Sequence, residues 1–415
     1  MHRFFGLLAC GTSPKIAVLD TIHGAKIISQ TMADLGLDSR AIEVYHRSAS
    51  VAMYDLIVAP VHLWPGNYAL SEAKALGKNI ISHHEAVGKL VEPSCKVFEI
   101  TGTHSKTSTA MLLAKMLSSR YEIVSHTTIG LQYWSQGKDS MLEKGLSTTP
   151  GNVIRAAEAA EEKDAQALIC EISLGGVGLA DYGILTSFSG DYKIAKGTKW
   201  ATTAKLQMIS LAKEGACIIA NTDAKVSPDI SFGDSGSVRV EHNRIFLKGL
   251  EIPLELDEEL DFFGYQTAIS GSIAAAYAAG IDLTEIVETL QGFNGIEGRM
   301  KAVKVGDLEI FDYSNSGLKV SDVERALDKM SGNKLALVVG EEAESVCEGL
   351  NIPDVVDLLK RRRNEIKFLV IVGKRLIPWG NELGAVIAHN LATGTEIARI
   401  QPDIKKLLLC VKCFR

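Results

Sequence analysis

Apolar and polar positions along the 415-residue chain follow two alternating rhythms: short aliphatic runs bounded by turn residues, and longer stretches with apolar residues three and four apart. The first rhythm marks buried strands and the second amphipathic helices. Strands are predicted at residues 16–19, 41–45, 56–59 and 79–82, with helices over 25–35 and 70–76 between them. The paired His83 and His84 read as a polar strand end. A second series starts near Pro93 with a strand ending at Thr101, then a helix carrying Ala110, Leu112, Leu113, Met116 and Leu117 on one face. Strands at 167–170, 182–187 and 217–220 follow it. A third series has strands at 308–311, 335–339, 368–372 and 407–411, with helices beginning near Val320, Val355 and Glu382.

Strands that alternate with helices imply parallel sheets with both faces covered, an α/β fold. The divisions fall at 1–92, 93–297 and 298–415. The first and last segments read as Rossmann-like units, and the middle one as a second α/β unit on a parallel sheet. Its distinguishing feature is residues 97–109, where a strand runs through Thr101-Gly102-Thr103-His104-Ser105-Lys106-Thr107-Ser108 into a helix. Backbone amides of such a turn and of the helix start cradle phosphate oxygens, the lysine adds a point charge, and the hydroxyl of Thr107 can ligate Mg²⁺. Ser105 lacks the freedom of glycine at positive φ, so a tighter or differently bent loop is expected. Glu171 ends one strand of the same sheet and Asn221 another, which gathers polar groups where open sheets bind ligands. In the first segment, His23 follows one strand and His62 and Trp64 follow another.

Composition narrows the class. A formal charge of -6 gives no overall attraction to nucleic acid or to anionic membrane, and no apolar stretch reaches transmembrane length. Residues 361–363, three arginines, read as a solvated helix end. The apolar run from Phe4 to Cys10 is too short for a signal sequence. Seven scattered cysteines form no disulfide framework and point to the cytoplasm, and Cys410 and Cys413 read as strand residues.

Residues 101–107 resemble the short phosphate loop Thr-Gly-Thr-Asn-Gly-Lys-Thr of the Mur ligases and folylpolyglutamate synthetases, with His104 and Ser105 in place of Asn and Gly. Further segments resemble the Mur ligase superfamily in the same order. Thr148-Thr149-Pro150 is similar to its Thr-Thr-Pro, and Glu171-Ile172-Ser173 to its Glu-x-Ser. Residues 185–192 resemble a stretch ending in Asp-His, with Tyr192 replacing the histidine, and Ala204-Lys205 matches Ala-Lys. Gly298-Arg299-Met300 is similar to Gly-Arg-Met, and Asp312-Tyr313-Ser314-Asn315 to Asp-Tyr-Ala-His. The resemblance implies a three-domain Mur ligase-like architecture with ATP and Mg²⁺ as cofactors. It implies that Thr107 and Glu171 hold the metal, that Lys205 when carbamylated serves a second metal, and that Lys106, Arg299 and Asp312 attend the nucleotide. The alternative for Lys205 is a solvated lysine on a helix over 201–212.

Such enzymes phosphorylate a carboxylate to an acyl phosphate, which a nucleophile then attacks. The Leu-Asp-Thr-Ile-His-Gly opening, the Ser-Leu-Gly-Gly-Val-Gly after Glu171 and the altered loop look most like the archaeal coenzyme F-430 synthetase branch. That branch implies a nickel tetrapyrrole substrate whose activated side-chain carboxylate is attacked by a carbon of the same molecule, with His23, His62 and Trp64 as candidate contacts. Two alternatives stay open: an amide ligase adding an amino acid, as in pseudomurein peptide assembly, and a non-catalytic nucleotide-binding regulator.

Overall fold

The computed structural model describes residues 14–258, 260–299, 301–330, 334–342 and 349–413. Phe4 to Cys10 and Met300 lie outside them. The chain divides into two compact units: Met1–Leu254 with Tyr265–Thr289, and Glu255–Gly264 with Leu290–Arg415.

The first unit holds two main sheets. The smaller has four parallel strands, β1 (Lys15–Leu19), β2 (Asp38–Ile42), β3 (Leu56–Ala59) and β4 (Asn79–Ser82), in the order β2-β1-β3-β4. Helices α1 (Ala25–Asp34), α2 (Tyr68–Ala75) and α3 (His83–Leu90) connect them. The second strand lies earlier than the predicted 41–45. It is a half-exposed edge strand, so Asp38, Ser39 and Arg40 give no hydrophobic signal, while the Glu43 carboxylate accepts the Tyr45 and His46 amides and turns the chain away. His83 and His84 also correct the expectation. They open a helix capped by the Ser82 hydroxyl, and both rings are buried.

The larger sheet has eleven strands. Its middle is parallel: β5 (Lys96–Thr101), β6 (Ile123–Thr127), β9 (Ala167–Glu171), β10 (Tyr182–Leu185), β13 (Cys217–Asn221) and β14 (Ile230–Phe232). Helices α4 (Lys106–Leu117) and α5 (Asn152–Glu162) pack against it. Hairpins absent from the expected parallel sheet extend both edges: β7 (Gly130–Ser135) with β8 (Lys138–Glu143) on one side, β15 (Val238–Glu241), β16 (Arg244–Leu247) and β17 (Leu250–Pro253) on the other. Edge strands such as Lys138–Glu143 face solvent and lack an apolar run. A small ribbon, β11 (Lys193–Ile194) with β12 (Lys199–Trp200), leads into two short helices, α6 (Ala201–Lys205) and α7 (Gln207–Leu211), in place of one over 201–212. Helices α8 (Phe262–Ala278) and α9 (Leu283–Gln291) follow.

The second unit has six strands, β18 (Lys301–Val305), β19 (Leu308–Asp312), β20 (Leu335–Glu341), β21 (Phe368–Val372), β22 (Val386–Ala388) and β23 (Lys406–Lys412), in the order β18-β19-β23-β20-β21-β22. Among the described strands of this unit only the β18/β19 pair is antiparallel. Its helices are α10 (Val320–Met330), α11 (Ile352–Arg361), α12 (Gly380–Leu383) and α13 (Leu391–Arg399). The helix expected near Glu382 is a single turn, and Asn390 caps the longer one beyond it. Arg361 and Arg362 pair with Glu324, Asp328 and Glu365, and Arg363 donates to backbone carbonyls, so the arginine run ties helices together. Cys410 lies in β23 and Cys413 just beyond it, both buried. Among the described residues no helix is long and apolar enough to cross a membrane.

Candidate active site

Strand β5 lies between β9 and β10 with all but its first residue buried, so its end is fixed by neighbours on both sides. The chain leaves it at Gly102, where a side chain has no room: a Cβ would stand 2.1 Å from Thr186 Oγ1 and 3.0 Å from the Ser187 nitrogen. Thr103 donates its amide to Ser187 O at 2.8 Å and its hydroxyl to Ser189 O at 2.7 Å, and Thr186 Oγ1 donates to His104 O at 2.5 Å. The floor formed by 186–189 is itself strapped by Asp223, which accepts the Ser187 hydroxyl at 2.6 Å and the amides of Phe188 and Ser189. Asn221 caps the turn that carries Asp223, at 3.1 Å from its amide. Asp223, which lies with Asn221 among the polar residues at that strand end, thus acts on the site by holding the floor of the loop. Gly102→Ala is expected to weaken nucleotide binding by about tenfold or more, because the loop must lift from this floor, and titration with a labelled nucleotide measures it.

Ser105 adopts the left-handed conformation, φ 63°, just before α4, at a cost of roughly 1 kcal/mol for a residue with a Cβ. The helix then starts with Lys106, and Thr107 and Ser108 are buried in its first turn. This end of the helix favours anions through its amides and its dipole.

Opposite it, Glu171 ends β9 and is 2% exposed. Thr107 Oγ1 donates to Glu171 Oε2 at 2.7 Å, the Thr128 amide reaches the same oxygen at 3.3 Å, and Lys106 Nζ lies 3.9 Å from Oε1. A carboxylate and a hydroxyl beside a phosphate-binding turn are the hard oxygen donors that Mg²⁺ prefers, so these residues fit that ion.

Lys205 is not a solvated lysine. It is 1% exposed, donates to the Tyr192 hydroxyl at 3.5 Å and sits over that ring. Asp191 fixes its helix by accepting the Tyr192 and Thr202 amides and the Thr202 hydroxyl.

The loops after β1 and β3 in the same unit bring His23 and His62 onto one carboxylate. Asp20 Oδ2 is 2.6 Å from His23 Nδ1, 3.3 Å from His62 Nε2 and 2.8 Å from the Tyr45 hydroxyl. Trp64 stands apart from that group, with Lys196 over its ring. In the second unit, Arg299 Nη1 donates to Asn315 Oδ1 at 2.8 Å, and Asn315 donates to Gly298 O and Tyr313 O. Asp312 ends β19 and accepts the Ser314 amide.

The phosphate loop, the Glu171 carboxylate facing it and the sheet that carries both define a ligase of the Mur superfamily. In agreement, a pseudomurein peptide ligase type C from Methanothermus fervidus shares the fold over 96% of both chains, with a TM-score of 0.54 at 15% identity. The family model for the coenzyme F430 synthetase CfbE C-terminal domain matches residues 302–413. The coenzyme F(430) synthetase of Methanosarcina acetivorans is 34% identical over 97% of this chain and 99% of its own, and that of Methanocaldococcus jannaschii 22% over 88% and 92%. The chain belongs to the coenzyme F(430) synthetase family.

Proposed function

We propose that the protein is an ATP-dependent synthetase that closes the carbocyclic ring of a seco nickel-tetrapyrrole acid. The observation that carries this reading is the convergence of Lys106, Thr107 and Glu171 at the mouth of the phosphate loop, and family membership supports the choice of substrate. A carboxylate is a poor electrophile, and moving the γ-phosphoryl group of ATP onto it creates a good leaving group. Gly102 to Ser108 bind the phosphates and Lys106 neutralises the transferring group, while the family resemblance is what assigns Arg299 and Asp312 to the nucleotide. Mg²⁺, held by Thr107 and Glu171, would supply further charge neutralisation. Burial of Lys205 supports its conversion to a carbamate, since a buried ammonium is costly. We assign 1–92 to substrate binding with His23, His62 and Trp64, 93–297 to ATP and 298–415 to a C-terminal Rossmann-like domain. The free thiols of Cys95, Cys170, Cys217, Cys410 and Cys413 suit a reducing cytoplasm.

The test is incubation with ATP, Mg²⁺ and the seco acid in the absence of any amine. One ADP per pigment converted, with a shift in its absorption, is expected. ADP release that requires an added amino acid would move the reading to an amide ligase.

A further inference from the structure

Ring closure by a carbon nucleophile leaves a proton to be removed, and none of the roles assigned above removes it. The bond from acyl carbon to phosphate oxygen breaks with its electron pair leaving on phosphate. The new carbon–carbon bond forms from the nucleophile's electron pair, and the hydrogen on that carbon must depart as a proton. We propose that His23, oriented by Asp20, accepts this proton at Nε2. The proposal rests on the ring-closing reading.

Asp20 is built as an orienter. It is fully buried, has φ 80° in a region side chains seldom adopt, and its Oδ1 accepts the amides of Ile22 and His23. Backbone strain of this kind costs about 1–3 kcal/mol and concentrates at functional sites. Burial opposes the charge on Asp20, yet hydrogen bonds from His23, His62 and Tyr45 outweigh it and hold the carboxyl well below the usual range. An ionised Oδ2 at 2.6 Å fixes the proton of neutral His23 on Nδ1, which makes Nε2 the basic nitrogen. His23 is 17% exposed, so the ring is within reach of a ligand. Its ring meets those of His62 and Tyr45 edge-on, and the buried His83 lies behind Asp20.

The same groups could be read as a cation site. Atoms sharing an ion at about 2.1 Å stand roughly 3.0–3.4 Å apart. Separations of 2.6 and 2.8 Å around Oδ2 are those of shared protons.

The turn also packs against the segment at residues 149–151. A Cβ on Gly24, next to His23, would lie 3.4 Å from Gly151 Cα and 3.7 Å from Thr149 Oγ1. The adjacent Thr148 hydroxyl is 2.9 Å from that of Ser173, two residues beyond Glu171.

The experiment separates activation from closure. With hydroxylamine present, the acyl phosphate is captured as a hydroxamate; without it, pigment absorption reads the ring. His23→Gln is expected to form hydroxamate within about threefold of wild type and to close the ring about 100-fold more slowly. The acidic limb of the wild-type kcat profile should vanish in this variant, and imidazole should restore closure to His23→Gly. Asp20→Asn, a positioning change, should also lose that limb. A raised KM with unchanged kcat, equal loss of hydroxamate and closure, or no rescue by imidazole would overturn the assignment. A wild-type protein that yields neither hydroxamate nor closed pigment would instead refute the ring-closing reading itself.

Discussion

Lys106→Ala is expected to lower turnover by about a thousandfold or more while leaving the fold intact. The ammonium lies at the start of α4, facing Glu171 at 3.9 Å, where the charge of a transferring phosphoryl group must be balanced. Alanine removes that charge and leaves the loop's backbone anchors in place, since Gly102, Thr103 and His104 are held by residues 186–189. Stability should therefore move by no more than about 1 kcal/mol. ADP release under saturating substrate, measured beside the thermal midpoint, checks both halves. A variant that folds and turns over at the wild-type rate would remove phosphoryl transfer from this loop, and with it the ring-closing and amide-ligase readings together.

The chemistry of the loop was readable because it depends on a local run. A buried strand, a glycine that admits no side chain and a lysine opening a helix lie within one contiguous segment, and the strand ends at Glu171 and Asn221 follow from the alternation of elements. What could not be read was either long-range or edge-bound. The grip of Asp223 on residues 186–189 joins the ends of two strands, and no spacing in the chain encodes it. The same holds for Asp20, whose partners come from three loops. The outermost strands, Lys138–Glu143 and Leu250–Pro253, escaped because exposed edge strands need no apolar alternation. Lys205 carried two readings in the sequence, a site lysine and a solvated one, and its burial against Tyr192 removes the solvated alternative.

Acidification from pH 6.5 to 4.5 is expected to remove on the order of 5 kcal/mol of stability from the first unit. His83, His84 and His126 are buried, and desolvation pushes them down to about 3, 4 and 4. His83 and His84 use Nε2 to reach the carbonyls of Leu19 and Ser173, an arrangement suited to neutral rings. Their folded values are depressed below the unfolded 6.5, so the unfolded chain binds protons that the native state refuses. The stability they contribute is complete above 6.5 and is lost as pH falls toward the folded values, at about 1.4 kcal/mol per pH unit for each ring. Glu99 works in the other direction. Burial raises it to about 7, against the hydrogen bonds from Leu179, Gly178 and Val177, so the folded state takes up its proton before the unfolded chain does. It returns roughly one histidine's share, and about two shares of loss remain. Asp20, held far below its ordinary value, stays ionised in both states through most of this window and adds little. Denaturant titrations at the two pH values, followed through the buried Trp134 of the first unit, should show the difference as a lower midpoint. His126→Gln should reduce the acid sensitivity by about one share. A midpoint that does not move between pH 6.5 and 4.5 would mean that the three rings already carry protons in the native state.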